Sequence, residues 1–180
     1  LKEVEFLALR QKVIDAGYGD EIVWAESCQI VDSPEAFLRE YIWVVISSGI
    51  KNQVAGIIYR RVIKAMDYGA PLIEAFKHKG KVEAINQVIK QIQGIYQEWK
   101  QSKYSIDYLA SLPFIGNITK YHLARNLGLD CVKPDRHLVR ISQNYCTTPN
   151  ELCKKLSWAT GYRIGTVDVI LWRAANLGMV

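Results

Sequence analysis

LPFIGNITKYHLARNLGLDCVKPDRH, residues 112 to 137, is the stretch whose reading decides the fold of this chain. Residues 104 to 112 are predicted to be helical. Pro113 to Asn117 form a tight turn, and residues 118 to 127 form a second helix closed by Gly128. The turn is therefore a hairpin between two helices, spanning residues 104 to 128. The first amides of the second helix have no acceptor within it and stand at the positive end of its dipole. They suit a phosphate, and Gly116 lets such an anion approach closely. Further on, Pro134 fixes the entry into another helix and disfavours helix at Lys133, which places Asp135 at a helix start. An Asp there caps the helix, a role worth about 1 kcal/mol, and capping is compatible with chemistry at the same carboxylate.

Working outward, apolar residues recur at intervals of three and four, and no long alternating run suggests a sheet, so the chain is expected to be all-α. Helices are predicted over residues 4–16, 34–48, 53–66, 71–78 and 81–101 before the hairpin, and over 134–145, 149–160 and 166–177 after it. The Gly17-Tyr18-Gly19 run stops the first, and Ser33 caps the second, which opens at Pro34. Neither an internal repeat nor a low-complexity linker interrupts the pattern.

The 180 residues carry a net charge of +5, and its distribution says more than its size. Residues 1–116 hold 14 Lys plus Arg against 14 Asp plus Glu, whereas residues 117–180 hold nine against four. The whole excess lies beyond the hairpin turn, the part to which a polyanion would be drawn. No stretch approaches the roughly 20 apolar residues of a membrane span, and the N-terminal segment is amphipathic rather than signal-like, as expected of a cytoplasmic protein, nucleoid-associated if its host is prokaryotic. Cys28, Cys131, Cys146 and Cys153 form no CxxC pair, which argues against a disulfide framework or zinc site. Cys146 and Cys153 have the first spacing of an iron-sulfur loop, but no further cysteines complete four ligands. No metal ligand set is assigned.

The residues Leu112, Pro113, Ile115, Gly116, Thr119, Gly128, Asp135 and His137 form a pattern that resembles the helix-hairpin-helix DNA glycosylases related to endonuclease III and to the 3-methyladenine DNA glycosylases. The apolar run 37–48, leading into Gly49-Ile50-Lys51-Asn52-Gln53, is similar to that family's first barrel helix and the loop after it. The resemblance implies a two-lobed helical fold with an interlobe cleft. Residues 34–130 would make a helical barrel, and residues 1–33 with 131–180 a second lobe from both termini. It also implies an activity, in which a damaged or modified base is flipped from double-stranded DNA and its N-glycosidic bond hydrolysed. Asp135 would be the catalytic carboxylate, stabilising positive charge on the sugar and orienting or deprotonating a water. Phe114, Ile115, Gly116, Asn117, Thr119 and Lys120 at the hairpin, with Lys133, would hold the DNA backbone. Ile50 and Lys51 would enter the minor groove, Ile50 as the wedge. No cofactor is needed for hydrolysis, a monovalent cation can be shared between turn carbonyls and a phosphate oxygen, and one chain suffices as a monomer.

Two departures from the family pattern bear on the chemistry. The hairpin carries Phe114 and Lys120 where the family usually has glycine and a small residue. Ile118 stands where strand-cutting members carry a nucleophilic lysine, and an isoleucine cannot form a Schiff base. Lys120 lies about 200° further around the helix and points elsewhere. The implied enzyme is therefore monofunctional and leaves an abasic site. His122 shares the face of Ile118, and both are assigned to the base pocket. So are Trp24, for stacking, and Glu26, for accepting from an exocyclic amine. His137 and His78 read as structural and solvated, respectively. Arg125, Arg136 and Arg140 join the candidates for phosphate contact, and Trp43, Trp99, Trp158 and Trp172 are assigned to the core. Two other readings stay open: a non-catalytic DNA-binding protein built on the same hairpin, and a glycosylase with lyase activity through Lys120 or Lys133. The excised base is not specified by these residues.

Overall fold

The computed structural model describes residues 1–180 and is helical throughout, with eleven α-helices and no strand. No helix is long and apolar enough to cross a membrane. The chain divides into two compact units, one of residues Val31–Leu123 and one of Leu1–Ile30 with Ala124–Val180.

The unit of residues 31–123 is built around α3 (Pro34–Ser47), which packs against α4 (Asn52–Asp67) and α6 (Lys79–Gln101). Ser33 starts α3 as expected, its hydroxyl accepting from the Ala36 amide at 3.2 Å. Phe37, Tyr41, Ile42, Val44, Val45 and Ile46 are all fully buried, each side chain contributing about 1.5–3 kcal/mol of burial. Phe37 meets Trp99 and Tyr96 edge-on, with ring centroids 5.2 and 6.2 Å apart. Two predicted helices are shorter than expected. α5 covers only Leu72–Ala75, because Phe76 turns extended to bury its ring and His78 becomes the N-cap of α6, its Nδ1 accepting from the Lys81 amide at 3.3 Å. α7 covers only Ile106–Leu109, because Lys103 and Tyr104 hold left-handed backbones (φ +57° and +61°) that end α6 and delay the next helix. α8 (Thr119–Asn126) follows the hairpin turn.

In the other unit α11 (Ile164–Asn176) is the central rod, packed by α1 (Glu3–Val13), α2 (Gly19–Ser27), α9 (Arg136–Gln143) and α10 (Pro149–Thr160). Its core joins Phe6, Val13, Leu138, Leu156, Val167, Ile170, Leu171 and Ala174. The first predicted helix does not simply end at Gly17-Tyr18-Gly19. A π-helical turn over Ile14–Tyr18 breaks at Gly17 (φ +89°), and the chain resumes as α2. The division between units also differs from the expected one at 33/34 and 130/131, since residues 124–130 group with the chain ends. The cause is local packing: Gly128 lies directly against the backbone of Gln29 and Ile30, and Arg163 donates to the carbonyls of Ala25, Cys28 and Gly128.

Candidate active site

In the hairpin turn Phe114 adopts the left-handed backbone (φ +60°) that a glycine there would take freely, at a cost of about 1–2 kcal/mol. The half-exposed ring then packs over Gly80, 3.2 Å from where a Cβ on that glycine would stand, and meets His78 edge-on at 6.1 Å. Ile115 is buried, its amide donating to the Leu112 carbonyl at 3.1 Å. The Gly116 amide donates to Thr119 Oγ1 at 2.6 Å, and the Lys120 amide returns to the Gly116 carbonyl at 2.9 Å. That bond closes the first helical turn, so the amides of residues 117 to 119 precede the intrahelical series and lie in the region where an anion is favoured. Gly116 and Asn117 are exposed, and a Cβ at Gly116 would meet only Thr119 Oγ1, at 3.8 Å. Of the turn's carbonyls, Leu112 and Gly116 accept from those amides and Pro113 accepts from the Tyr41 hydroxyl at 2.9 Å.

Two of the other residues assigned to this part of the chain are placed as solvent-facing groups: Ile118 is 44% exposed and Lys51 is exposed, with Ile50 half-buried after Gly49. His122 is half-buried. The loop carrying Ile50 is held from below by Lys81, a buried lysine that sequence reasoning missed. Its ammonium donates to the carbonyls of Ser48 at 2.6 Å and Ile46 at 3.2 Å, capping the end of α3, and burial pulls its pKa down. Lys120 is not a free amine. Its Nζ lies 2.7 Å from Asp107 Oδ1, and this hydrogen bond raises its pKa.

In the unit of both chain ends, Asp135 is the N-cap of α9. Its Oδ1 accepts from the amides of His137 at 2.9 Å and Leu138 at 3.2 Å, so one oxygen is locked at the helix start. The other, Oδ2, faces Lys133 Nζ at 3.7 Å, and the side chain is 13% exposed. Burial lowers the pKa of Lys133, with Asp135 opposing the shift. The main chain here is fixed twice more: the Asp135 amide donates to the Lys133 carbonyl at 2.7 Å, and the Lys133 amide donates to Asp168 Oδ2 at 2.5 Å. Asp168, on α11, is paired through Oδ1 with Arg125 Nη1 at 3.0 Å. It was not singled out from the sequence, although a lone Asp within Val167-Asp168-Val169-Ile170-Leu171 is the signal of a buried partnered charge.

Glu26 is committed to structure, Oε2 accepting from the Arg163 amide at 3.1 Å, while Trp24 is 42% exposed on α2. Trp99 is buried, Trp43 and Trp172 are half-buried, and Trp158, expected in the core, is 90% exposed because it falls on the outer face of α10. The basic excess after residue 116 is largely engaged within the protein. Besides Lys120, Arg125 and Lys133, Arg173 pairs with Glu21, Arg163 serves carbonyls, and Arg140 donates to Val180. Arg136, Lys154 and Lys155 are exposed. The four cysteines are free, and no group of three or more His, Cys, Asp or Glu side chains is gathered to hold a metal ion. Comparison with protein-family models, with curated proteins and with solved structures gives no match.

Proposed function

We propose that this protein is a monofunctional DNA glycosylase, which takes a damaged or modified base out of duplex DNA and hydrolyses its N-glycosidic bond. The observation that carries the reading is the division of labour within Asp135. A carboxylate present only to cap a helix needs one oxygen at the amides, and here Oδ1 alone does that, accepting from two amides, while Oδ2 is turned away toward the Lys133 amine. That second oxygen is the group the chemistry requires. As the bond between C1′ and the base nitrogen breaks, positive charge develops on the deoxyribose. A carboxylate beneath it stabilises that charge and accepts a proton from the water whose oxygen adds to C1′, while the departing base takes up a proton. The hairpin supports the same reading, with exposed Gly116 and Asn117 at the open first turn of α8 suiting a backbone phosphate.

No lysine stands at Ile118, and Lys120 is held by Asp107, so the product is an intact strand bearing an abasic site. The test is incubation with a panel of duplexes carrying alkylated, deaminated and bulky modified bases, with mass spectrometry of released free base. Release from at least one duplex by the wild type and none by Asp135→Asn is expected. Duplex binding without release from any substrate would favour a non-catalytic hairpin protein instead.

A further inference from the structure

Asp168 is a charged residue where the helix around it is apolar. It lies within the run from Gly165 to Leu171 of α11, every residue of which is buried, and is itself 1% exposed. A lone carboxylate in such surroundings is strongly disfavoured, so its partners explain its presence. Arg125 Nη1, at 3.0 Å from Oδ1, answers the charge. The second partner is not needed for neutrality: Oδ2 accepts the backbone amide of Lys133, two residues before Asp135. Burial pushes the Asp168 pKa up, while Arg125 and the Lys133 amide oppose that shift.

The position of that amide gives the contact its meaning. Pro134 has no N–H and a fixed φ, so between the Lys133 amide and the Asp135 amide the chain has little freedom. One end is pinned by Asp168, the other turns back to the Lys133 carbonyl, and Asp135 Oδ1 is pinned by the α9 amides. We propose that Asp168, held by Arg125, is a positioning residue for base release, fixing the segment Lys133-Pro134-Asp135 so that Asp135 Oδ2 is presented to the sugar. The inference rests on the glycosylase reading above. Stability alone does not account for the pair, because a buried ion pair is often replaceable by apolar residues of similar volume without loss. Such a replacement still leaves the Lys133 amide without its acceptor.

Two variants separate positioning from folding. In Asp168→Asn the side chain offers a single acceptor oxygen and turns an N–H group toward one of its two former donors. In the combined Arg125→Met and Asp168→Leu protein the charges are gone and the core is filled. Single-turnover base release and duplex affinity are measured on one modified duplex, beside the wild type and Asp135→Asn. Release is expected to fall about a hundredfold in both, the cost of a small misplacement of a reacting group, while duplex affinity is retained in Asp168→Asn, which keeps every cation. A folded variant of either kind that releases base at the wild-type rate overturns the proposal, as does a loss of rate in Asp168→Asn matched by an equal loss of affinity. Should neither variant fold, amide exchange in the wild type decides. The Lys133 amide is expected to be protected like the interior of α11, and exchange at the rate of an exposed loop overturns the proposal. A wild type that releases no base, or an Asp135→Asn protein as active as wild type, defeats the glycosylase reading and this inference together. An active wild type and an inactive Asp135→Asn, with fully active Asp168 variants, defeats the inference alone.

Discussion

Asp135 serves both as the cap of α9 and as the proposed catalytic carboxylate, and one substitution separates the two roles. Asparagine caps about as well as aspartate, so Asp135→Asn should change stability by no more than about 0.5 kcal/mol, and its melting temperature should stay within about 2 °C of wild type. Base release should nonetheless drop by about 10²–10³-fold, as when one preorganised electrostatic group is removed from an active site. A melt well below this window would show that the charge itself holds the segment together. The lysines set a second expectation. Ile118 has no amine, the hydrogen bond to Asp107 keeps Lys120 protonated, and Lys133 is pulled down by burial but pulled up by Asp135. Borohydride added during turnover should trap no enzyme–DNA adduct. A robust adduct that vanishes in Lys133→Gln would make the protein a glycosylase with lyase activity. Asp135 was legible in the sequence because its proline and its cap are neighbours along the chain. Asp168 was not, because its amide partner lies 35 residues away.

At the scale of elements, what could be read was whatever a few adjacent residues determine. Ser33-Pro34 starts α3, and Thr148-Pro149 with Glu151 starts α10 through a reciprocal pair of side-chain and backbone bonds. What could not be read depended on side chains arriving from elsewhere, such as the ring of Phe76 seeking the core or Lys81 reaching the end of α3. Lys81→Met should destabilise the protein by about 1.5–3 kcal/mol, the range for hydrogen bonds to a charged group, by stripping the Ile46 and Ser48 carbonyls of their donor. The pH dependence has a definite sign. The folded-state pKa of Lys81 lies below its ordinary 10.5, so between the two values the unfolded chain binds more protons and the wild type gains stability as pH rises. Urea titrations of wild type and Lys81→Met at neutral pH and near pH 10.5 should show the gap between them widening. The hairpin gives a cleaner case, since a Cβ at exposed Gly116 would meet nothing but Thr119 Oγ1 within 4 Å. Gly116→Gln should fold normally yet bind every duplex about tenfold more weakly, through loss of a phosphate contact. Anisotropy titrations across a salt series should show wild-type binding falling steeply with salt. Unchanged affinity would remove the hairpin from the DNA face.

For the whole molecule, the helical class follows from periodicity alone, whereas the grouping of helices depends on contacts that periodicity does not encode. The unit made from both chain ends illustrates this, because residues 124–130 join it through packing between stretches about a hundred residues apart in sequence, as the Cys28 bond to the Arg125 carbonyl shows. Gly128 is where that closure is tightest. Its φ is +95°, and a Cβ there would lie 2.1 Å from the Gln29 carbonyl oxygen and 2.4 Å from the Ile30 nitrogen, both main-chain atoms that cannot swing aside. Gly161, the left-handed cap of α10 at φ +77°, has nothing within 4 Å of the same point. The two glycines therefore separate backbone strain from steric exclusion. Gly161→Ala should cost only the left-handed penalty of about 1–2 kcal/mol. Gly128→Ala carries that penalty and also forces residues 29 and 30 away from 128, so its loss should exceed about 4 kcal/mol, the range reserved for changes that disrupt packing. Equilibrium unfolding in urea measures both. If the two alanine variants unfold at the same midpoint, the 29–30 segment does not lie against Gly128, and the assignment of residues 124–130 to the unit of the chain ends fails with it.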